Sequence, residues 1–204
     1  MNHTRSFVLV LSAAFLAIIR FVGAAEAKPG ESWQSLFDGT TLKGWQLMHD
    51  TTAQVTNGVI RVGGGLGWLR SEETFSDFIL EAEWRGLETN YNSGFFVRAG
   101  LEGKPFPDGV WQVNLKSSAV GALLKGSTVV LDPKLPTPPI GQWCRFRIEA
   151  RGQTLTLFIN DAKVWKFDEL PTGAGSVGLQ GEGKLVEFRN IHVQRLAQSG
   201  AATR

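Results

Sequence analysis

Apolar and polar residues alternate with a period of two in several segments of the chain, and almost no segment sustains a helical period. Successive side chains of a β-strand point to opposite faces, so this alternation predicts strands with one face on a core. Two segments show this alternation best. In the first the apolar residues are Phe78, Leu80, Ala82 and Trp84, and in the second they are Cys144, Phe146, Ile148 and Ala150. Short runs of Gly, Pro, Asn and Asp between the segments are typical of all-β proteins.

Two local features refine this pattern. The alternation of residues 155–159 runs into Asn160-Asp161, which predicts a hairpin into the following strand. In the last long strand the apolar phase of residues 186–188 shifts by one position in residues 191–193. A shift without an extra residue would turn half of the strand outward, so a β-bulge is predicted near Arg189-Asn190.

Strands at this spacing predict an all-β fold, with two antiparallel sheets packed face to face as a jelly-roll-like β-sandwich. We expect a single domain over residues 28–204, with its core at about 33–196. The glycine run 63–65 and the proline-rich segment 133–139 are interpreted as loops within that domain, because the strand pattern resumes on both sides.

Residues 1–27 have the features of a signal peptide. Arg5 precedes an apolar run of 13 residues, 7–19, and Ala25-Glu26-Ala27 places small residues at a cleavage site. The run is shorter than the roughly 20 residues that span a membrane as a helix. We therefore expect a periplasmic or secreted protein that has no membrane attachment after cleavage. An uncleaved anchor is the minor alternative, because Arg20 interrupts the pattern early.

Charge and cysteine content exclude several classes of function. The 21 basic and 19 acidic residues nearly balance, so nothing indicates nucleic acid as a partner. Cys144 is the only cysteine, and an internal disulfide is therefore impossible. Its alternation with Trp143 and Arg145 predicts a small buried side chain rather than a nucleophile.

Tryptophan is abundant, with seven residues against one tyrosine. Indole faces stack well on sugar rings, but a β-sandwich also uses tryptophan to fill its core. The alternation around Trp84 favours the core for that residue. Trp68 and Trp111 lie beside glycine-rich segments, where either role fits.

Polar side chains share strand faces in three places. Glu81, Glu83 and Arg85 share the strand face opposite a core face. Arg98 shares a face with Phe96 on a second strand. Gln112 and Asn114 share a face on a third strand. If the three strands are neighbours in one sheet, its outer surface can bind a polyhydroxylated ligand through guanidinium and amide groups. Periodicity alone favours an ordinary solvated face over such a site.

Other chemistries have little support in the sequence. There is no Glu-x-Asp-x-x-Glu run of the kind that laminarinase-like sandwich enzymes carry. After residue 27 the histidines are His49 and His192, and neither belongs to a spaced ligand cluster. No cofactor is evident, although calcium held by carboxylates and carbonyls leaves little sequence trace and stays open.

A series of short motifs occurs in a characteristic order along the chain. They are WQSLFDG at 33–39, LKGW at 42–45, NGVI at 57–60, NSGFFVR at 92–98, GAL at 121–123, GQW at 141–143, GLQ at 178–180 and FRNI at 188–191. In this order the chain resembles the bacterial family named for 3-keto-disaccharide hydrolase. The resemblance covers nearly all of the chain after residue 27 and implies a secreted protein with a concanavalin A-like jelly roll.

The resemblance also implies an activity, the cleavage of glycosides already oxidised to a ketone at sugar C3. The ketone acidifies the C2 proton, so a base can remove it and expel the C1 substituent, after which water adds. We expect a sugar or oxidised disaccharide as the ligand. The expected catalytic residues are Glu83, as base, and Arg98; the expected substrate-binding residues are Glu81, Asn92, Trp111, Gln112 and Asn114.

The chain departs from the family pattern at a few positions. Many relatives have an acidic residue where Val110 stands, and a histidine where Phe158 stands. A noncatalytic carbohydrate-binding module is therefore the alternative to the enzyme, and a protein-interaction sandwich is a third interpretation. The sequence leaves the oligomeric state open.

Overall fold

A computed structural model describes residues 32–197, and the expected signal peptide lies outside them. The described chain consists of strands and their connections. In chain order the strands are β1 (Trp33–Ser35), β2 (Trp45–His49), β3 (Thr52–Thr56), β4 (Val59–Gly63), β5 (Leu66–Phe75), β6 (Phe78–Gly86), β7 (Gly94–Ala99), β8 (Trp111–Asn114), β9 (Leu123–Lys125), β10 (Thr128–Leu131), β11 (Cys144–Arg151), β12 (Thr154–Ile159), β13 (Ala162–Phe167), β14 (Gly175–Glu182) and β15 (Val186–Arg195).

The strands form two antiparallel sheets. One sheet has eight strands in the order β13-β12-β11-β6-β15-β4-β3, with β1 paired to β15, and the other has seven in the order β10-β9-β8-β7-β14-β5-β2. The all-β, two-sheet jelly-roll prediction is thereby confirmed. No helix within residues 32–197 has the length and apolar character needed to cross a membrane.

The core lies between the two sheets and is rich in aromatic side chains. Trp84 from the eight-stranded sheet is 1% exposed and meets Phe146 edge to face, with ring centroids 5.5 Å apart. Phe95 from the seven-stranded sheet meets Phe188 at the same distance. Such pairs add roughly 0.5–1.5 kcal/mol to the area they bury. The core role expected for Trp84 is confirmed.

Cys144 is buried at the start of β11, as expected. Burial raises the pKa of its thiol above the ordinary value, which disfavours the reactive thiolate.

Both local predictions are confirmed. Asn160 and Asp161 connect β12 to β13 with φ angles of 48° and 70°, the positive values that a two-residue type I′ turn requires. Between β15 and β6 the register shifts after Arg189 and resumes at His192. The shift returns the apolar residues that follow to the core, since Ile191 is fully buried.

The three polar strands are not neighbours in one sheet, so the condition for a shared polar outer face is not met. β7 and β8 are adjacent in the seven-stranded sheet, but β6 lies between β11 and β15 in the eight-stranded sheet. Alternation identifies which side chains face the core, and both sheets share that core. It carries no information about which sheet a strand joins.

Candidate functional site

A cavity with a volume of about 660 Å³ opens on the outer face of the seven-stranded sheet. We call it the sheet cavity. Its floor is formed by β7, β8 and β14, and one wall by residues 100–110, here called the cavity loop, which connect β7 to β8. Pockets of this size hold small-molecule ligands in many proteins.

Strand register brings the polar side chains of the floor together. On β8, Gln112 lies opposite Phe96 and Asn114 lies opposite Gly94, both on β7. A Cβ atom at Gly94 would lie 2.0 Å from the Gln112 amide nitrogen. Glycine at this position therefore lets the Gln112 side chain lie across β7 toward β14.

A hydrogen-bond chain crosses the floor from β8 to β14. The Gln112 amide donates to Oε1 of Gln180, and Nε2 of Gln180 donates to Oε2 of Glu182 over 2.9 Å. Gln112 also donates to the carbonyl of Ser93 over 3.2 Å. With Gln112 4% and Gln180 5% exposed, these amides are held in fixed orientations.

Glu182 ends this chain at the edge of the floor. It forms an isolated antiparallel bridge with Asn92, so the carboxylate and the amide extend from directly opposed positions. Both line the sheet cavity, as does Lys116 from the segment after β8. Among the described residues, the carboxylates lining the cavity are Asp108, on the cavity loop, and Glu182.

Part of the cavity loop side of the cavity is apolar. Phe96 meets Trp68 and Phe106 edge to face, with centroid distances of 5.5 and 5.7 Å. This cluster lies on the outer side of the seven-stranded sheet, separate from the core between the sheets. Trp68 is 1% exposed and does not itself line the cavity, so it supports Phe96 from the side, across Gly178 of β14.

Three of the expected substrate-binding residues, Asn92, Gln112 and Asn114, line the sheet cavity together. Asn114 is held by a 3.0 Å hydrogen bond from its Nδ2 to the carbonyl of Ala119. Trp111 points the other way along β8 and packs on Phe167 at 5.1 Å, against the edge of the core. It does not line the cavity.

Arg98 lies at the end of β7 with a side chain only 6% exposed. Its guanidinium donates to the carbonyls of Ser76, Gly152 and Pro171 and forms a 3.0 Å ion pair with Asp77. Burial lowers the pKa of Arg98, and the charge of Asp77 acts against that shift. These bonds tie four chain segments together, so Arg98 has a structural position outside the cavity.

Glu81 and Glu83 lie on the outer face of the eight-stranded sheet, across the sandwich from the cavity. Glu83 accepts hydrogen bonds from Arg189 over 2.6 Å and from Asn190 over 3.1 Å. Glu81 lies 3.7 Å from the Arg147 guanidinium. The structure therefore does not bring the expected base together with Gln112 or Arg98, because β6 belongs to the other sheet.

Sequence reasoning missed Gln180 and Glu182 as site residues. The alternation of Gly178, Gln180 and Glu182 in β14 puts them on one face, and GLQ at 178–180 was already visible as a motif. The sequence alone does not show that Asn92 pairs with Glu182, because the two residues are far apart along the chain.

Within residues 32–197 no group of three or more His, Cys, Asp or Glu side chains is arranged to hold a metal ion.

Solved structures share this fold at low sequence identity. A "putative glycosyl hydrolase" of Parabacteroides distasonis is 19% identical, with a TM-score of 0.66 over 85% of this chain and 98% of that one. The carbohydrate-binding module CBM66 of Bacillus subtilis is 16% identical, with a TM-score of 0.64 over 74% and 95%. A prokaryotic β-1,3-1,4-glucanase from a mouse hindgut metagenome is 10% identical, with a TM-score of 0.55 over 74% and 92%.

No curated protein sequence matches the chain. A family profile does match, over residues 32–194, which is most of the chain and includes every strand of the floor of the sheet cavity. The chain belongs to the family of 3-keto-alpha-glucoside-1,2-lyase-like domains.

Proposed function

We propose that this protein cleaves glycosides whose sugar carries a ketone at C3, and that Glu182 is the base. Membership of the family gives a glycosyl hydrolase-like or carbohydrate-binding function. The observation that supports the finer proposal is the pairing of Glu182 with Asn92 at the end of a buried amide chain, in a cavity with room for a sugar.

The reaction needs one positioned carboxylate. Glu182 removes the proton from C2, the C2–H electron pair forms a C1–C2 double bond, and the C1–O bond breaks with its pair going to the leaving oxygen. That oxygen takes up a proton and departs as an alcohol. Water then adds, with hydroxyl at C1 and hydrogen at C2, so the net reaction is hydrolysis without redox change.

The other cavity residues fit the charges that develop. As C2 loses its proton, negative charge moves to the ketone oxygen, and donors aimed at that oxygen lower the barrier. The Asn92 amide, which lies opposite Glu182, and the Lys116 ammonium both line the cavity and are our candidates for those donors. Gln112, Asn114 and Gln180 have their orientations fixed by one another and by backbone groups, which suits recognition of sugar hydroxyls.

Turnover of a synthetic 3-keto-glucoside and of its unoxidised parent tests this proposal, with divalent cation added and with a chelator. We expect release of the alcohol from the keto compound only. Glu182→Gln should lower kcat/KM by about 10²–10⁴-fold, the usual contribution of a general base. Asp108→Asn is the matched control, because Asp108 is the other carboxylate lining the cavity.

A two-carboxylate glycosidase would behave differently. It would cleave the unoxidised glucoside and lose activity in both variants, since acid and base or nucleophile act together. Either result would overturn the single-base mechanism.

A noncatalytic sugar-binding module is the second candidate, supported by the uncharged, mutually hydrogen-bonded amides of the cavity floor. It predicts calorimetric binding of sugars without turnover of any keto-glycoside. We also propose export to the periplasm or the medium, on the basis of the signal-like pattern of residues 1–27.

A further inference from the structure

We propose that the sheet cavity has two subsites, and that the second takes an apolar, ring-containing aglycone. The substrates would then be keto-glycosides of apolar alcohols rather than disaccharides. This inference rests on the proposed function and specifies its substrate class.

The size of the cavity gives room for a second group. Its volume of about 660 Å³ lies inside the range of roughly 300–1,000 Å³ that accommodates drug-sized ligands. A ligand that fills it therefore extends beyond a single sugar ring, and the lining residues decide what that extension is.

The register of the sheet separates polar from apolar lining. One row across the strands contains Val129 opposite Leu124, with Leu124 opposite Gln112 and Gln112 opposite Phe96. We call its apolar members Val129, Leu124 and Phe96 the apolar row. Successive residues on one face are about 6.6 Å apart along a strand, so this row and the row of Asn114 and Gly94 are distinct surfaces.

The Gln112 side chain sharpens this separation. It starts between Leu124 and Phe96 of the apolar row, crosses Gly94 and donates a hydrogen bond to Gln180, on the Glu182 side of the floor. The amides of Gln112 and Gln180 thus lie on the same side of the floor as Glu182 and Asn92. On the β9–β10 side the apolar row consists of the Leu124 and Val129 side chains, and Val129 is 54% exposed.

The cavity loop extends the apolar surface above this row. Pro105, Phe106 and Pro107 line the cavity, and Phe106 rests against Phe96 with an interplanar angle of 71°. Prolines have no backbone N–H to donate, and phenylalanine has no polar atom. Lys104 and Asp108 on the same loop also line the cavity, but both are exposed, so solvent can reach their charges.

This surface suits a ring without hydroxyl groups better than a second sugar. Hydroxyls of a second sugar held there would lose hydrogen bonds to water without replacing them. An aromatic ring would instead gain edge and face contacts with Phe106 and cover Val129.

The test compares three 3-keto-glucosides, with methyl, benzyl and glucosyl aglycones, each as both anomers. All three expel an alkoxide, so differences report the aglycone subsite rather than a phenol leaving group. We expect kcat/KM for the benzyl compound to exceed that for the methyl compound by about tenfold or more, as apolar pockets discriminate by about 10–200-fold. The glucosyl compound should gain little over methyl.

Val129→Asn should lower the benzyl-to-methyl ratio of kcat/KM severalfold. Val130→Asn is the matched control, because Val130 is 42% exposed on the same strand but does not line the cavity. Phe106→Ala tests the subsite from the cavity loop, and it should also lower the benzyl-to-methyl ratio.

The outcomes separate the two proposals. The apolar subsite is overturned, and the proposed function is not, if all three compounds turn over with equal efficiency or if the glucosyl compound is preferred. No turnover of any compound overturns the proposed function, and calorimetry then decides the subsite: tighter binding of benzyl than methyl supports it, and equal binding contradicts it.

Discussion

Gly94 illustrates how a single residue positions the candidate site. The Gln112 side chain occupies the space where a Cβ at position 94 would be, and this lets it reach Gln180. The backbone at Gly94 is an ordinary strand with no positive φ. The requirement for glycine is therefore steric and local to the cavity, rather than conformational.

Gly94→Ala should accordingly impair function more than folding. The added methyl group displaces Gln112 and breaks the hydrogen-bond chain to Glu182, so we expect kcat/KM on the keto-glucoside to fall by about tenfold or more, equivalent to one or two hydrogen bonds. The urea midpoint should change little, because the clash is with a side chain that can move. Gly100→Ala is the control, since nothing lies within 4 Å of a Cβ at that position. Equal kcat/KM losses in both variants would contradict the assigned role of Gly94.

At the scale of elements, the alternation of apolar residues predicted the faces of β6 and β11 correctly. Phe78, Leu80 and Trp84 are buried, and so are Phe146 and Ile148. The bulge in β15 and the β12–β13 hairpin were also predictable, because both depend on residues adjacent in sequence.

The neighbours of each strand were not predictable in the same way. β14 lies beside β7, and β15 beside β6, through pairings that connect distant parts of the chain. Asn92, Gln112 and Asn114 were expected as substrate-binding residues and share the cavity, whereas Glu83 lies across the sandwich. The position of a carboxylate relative to an amide depends on sheet order, which alternation does not encode.

The outer face of the eight-stranded sheet carries a charge network that joins three strands. Glu187 on β15 is 1% exposed and accepts hydrogen bonds from Arg61 on β4 and Arg85 on β6. Burial by itself raises the pKa of Glu187, but the hydrogen bonds and charges of the two guanidiniums outweigh it, and the net pKa is lowered from 4.5. The ring centroid of Trp143 lies 4.4 Å from the guanidinium carbon of Arg85 and 4.0 Å from that of Arg189.

This network predicts a pH-dependent contribution to stability. A carboxylate with a lowered folded-state pKa stabilises the fold above its unfolded pKa, and that contribution is lost as pH falls through the folded-state value. Glu187→Gln should lower the free energy of unfolding by about 2 kcal/mol at pH 7. Urea titrations should show the difference from wild type shrinking as pH falls below 4.5, the unperturbed value.

Glu88→Gln serves as the control for this series. Its partner is Lys184, and both side chains are about half exposed, so the effect should stay below about 1 kcal/mol. A Glu187→Gln deficit that is the same at pH 3 and pH 7 would contradict the role given to the ion pairs.

The whole molecule presents two different outer faces on one core. The face of the eight-stranded sheet pairs its carboxylates with arginines, as Glu83 and Glu187 show. The face of the seven-stranded sheet has the cavity, in which Glu182 is bonded to the neutral amide of Gln180. Within residues 32–197 Glu182 forms no ion pair, unlike Glu83 and Glu187, so its carboxylate is not already bonded to an arginine when a substrate binds.

The most direct test of this account is the kcat/KM of Glu182→Gln and Glu83→Gln, measured side by side on one 3-keto-glucoside. The account predicts a loss of about 10²–10⁴-fold for Glu182→Gln, as for removal of a general base, and turnover close to wild type for Glu83→Gln. The reverse result, with Glu83→Gln inactive and Glu182→Gln active, would contradict the assignment of the sheet cavity as the active site.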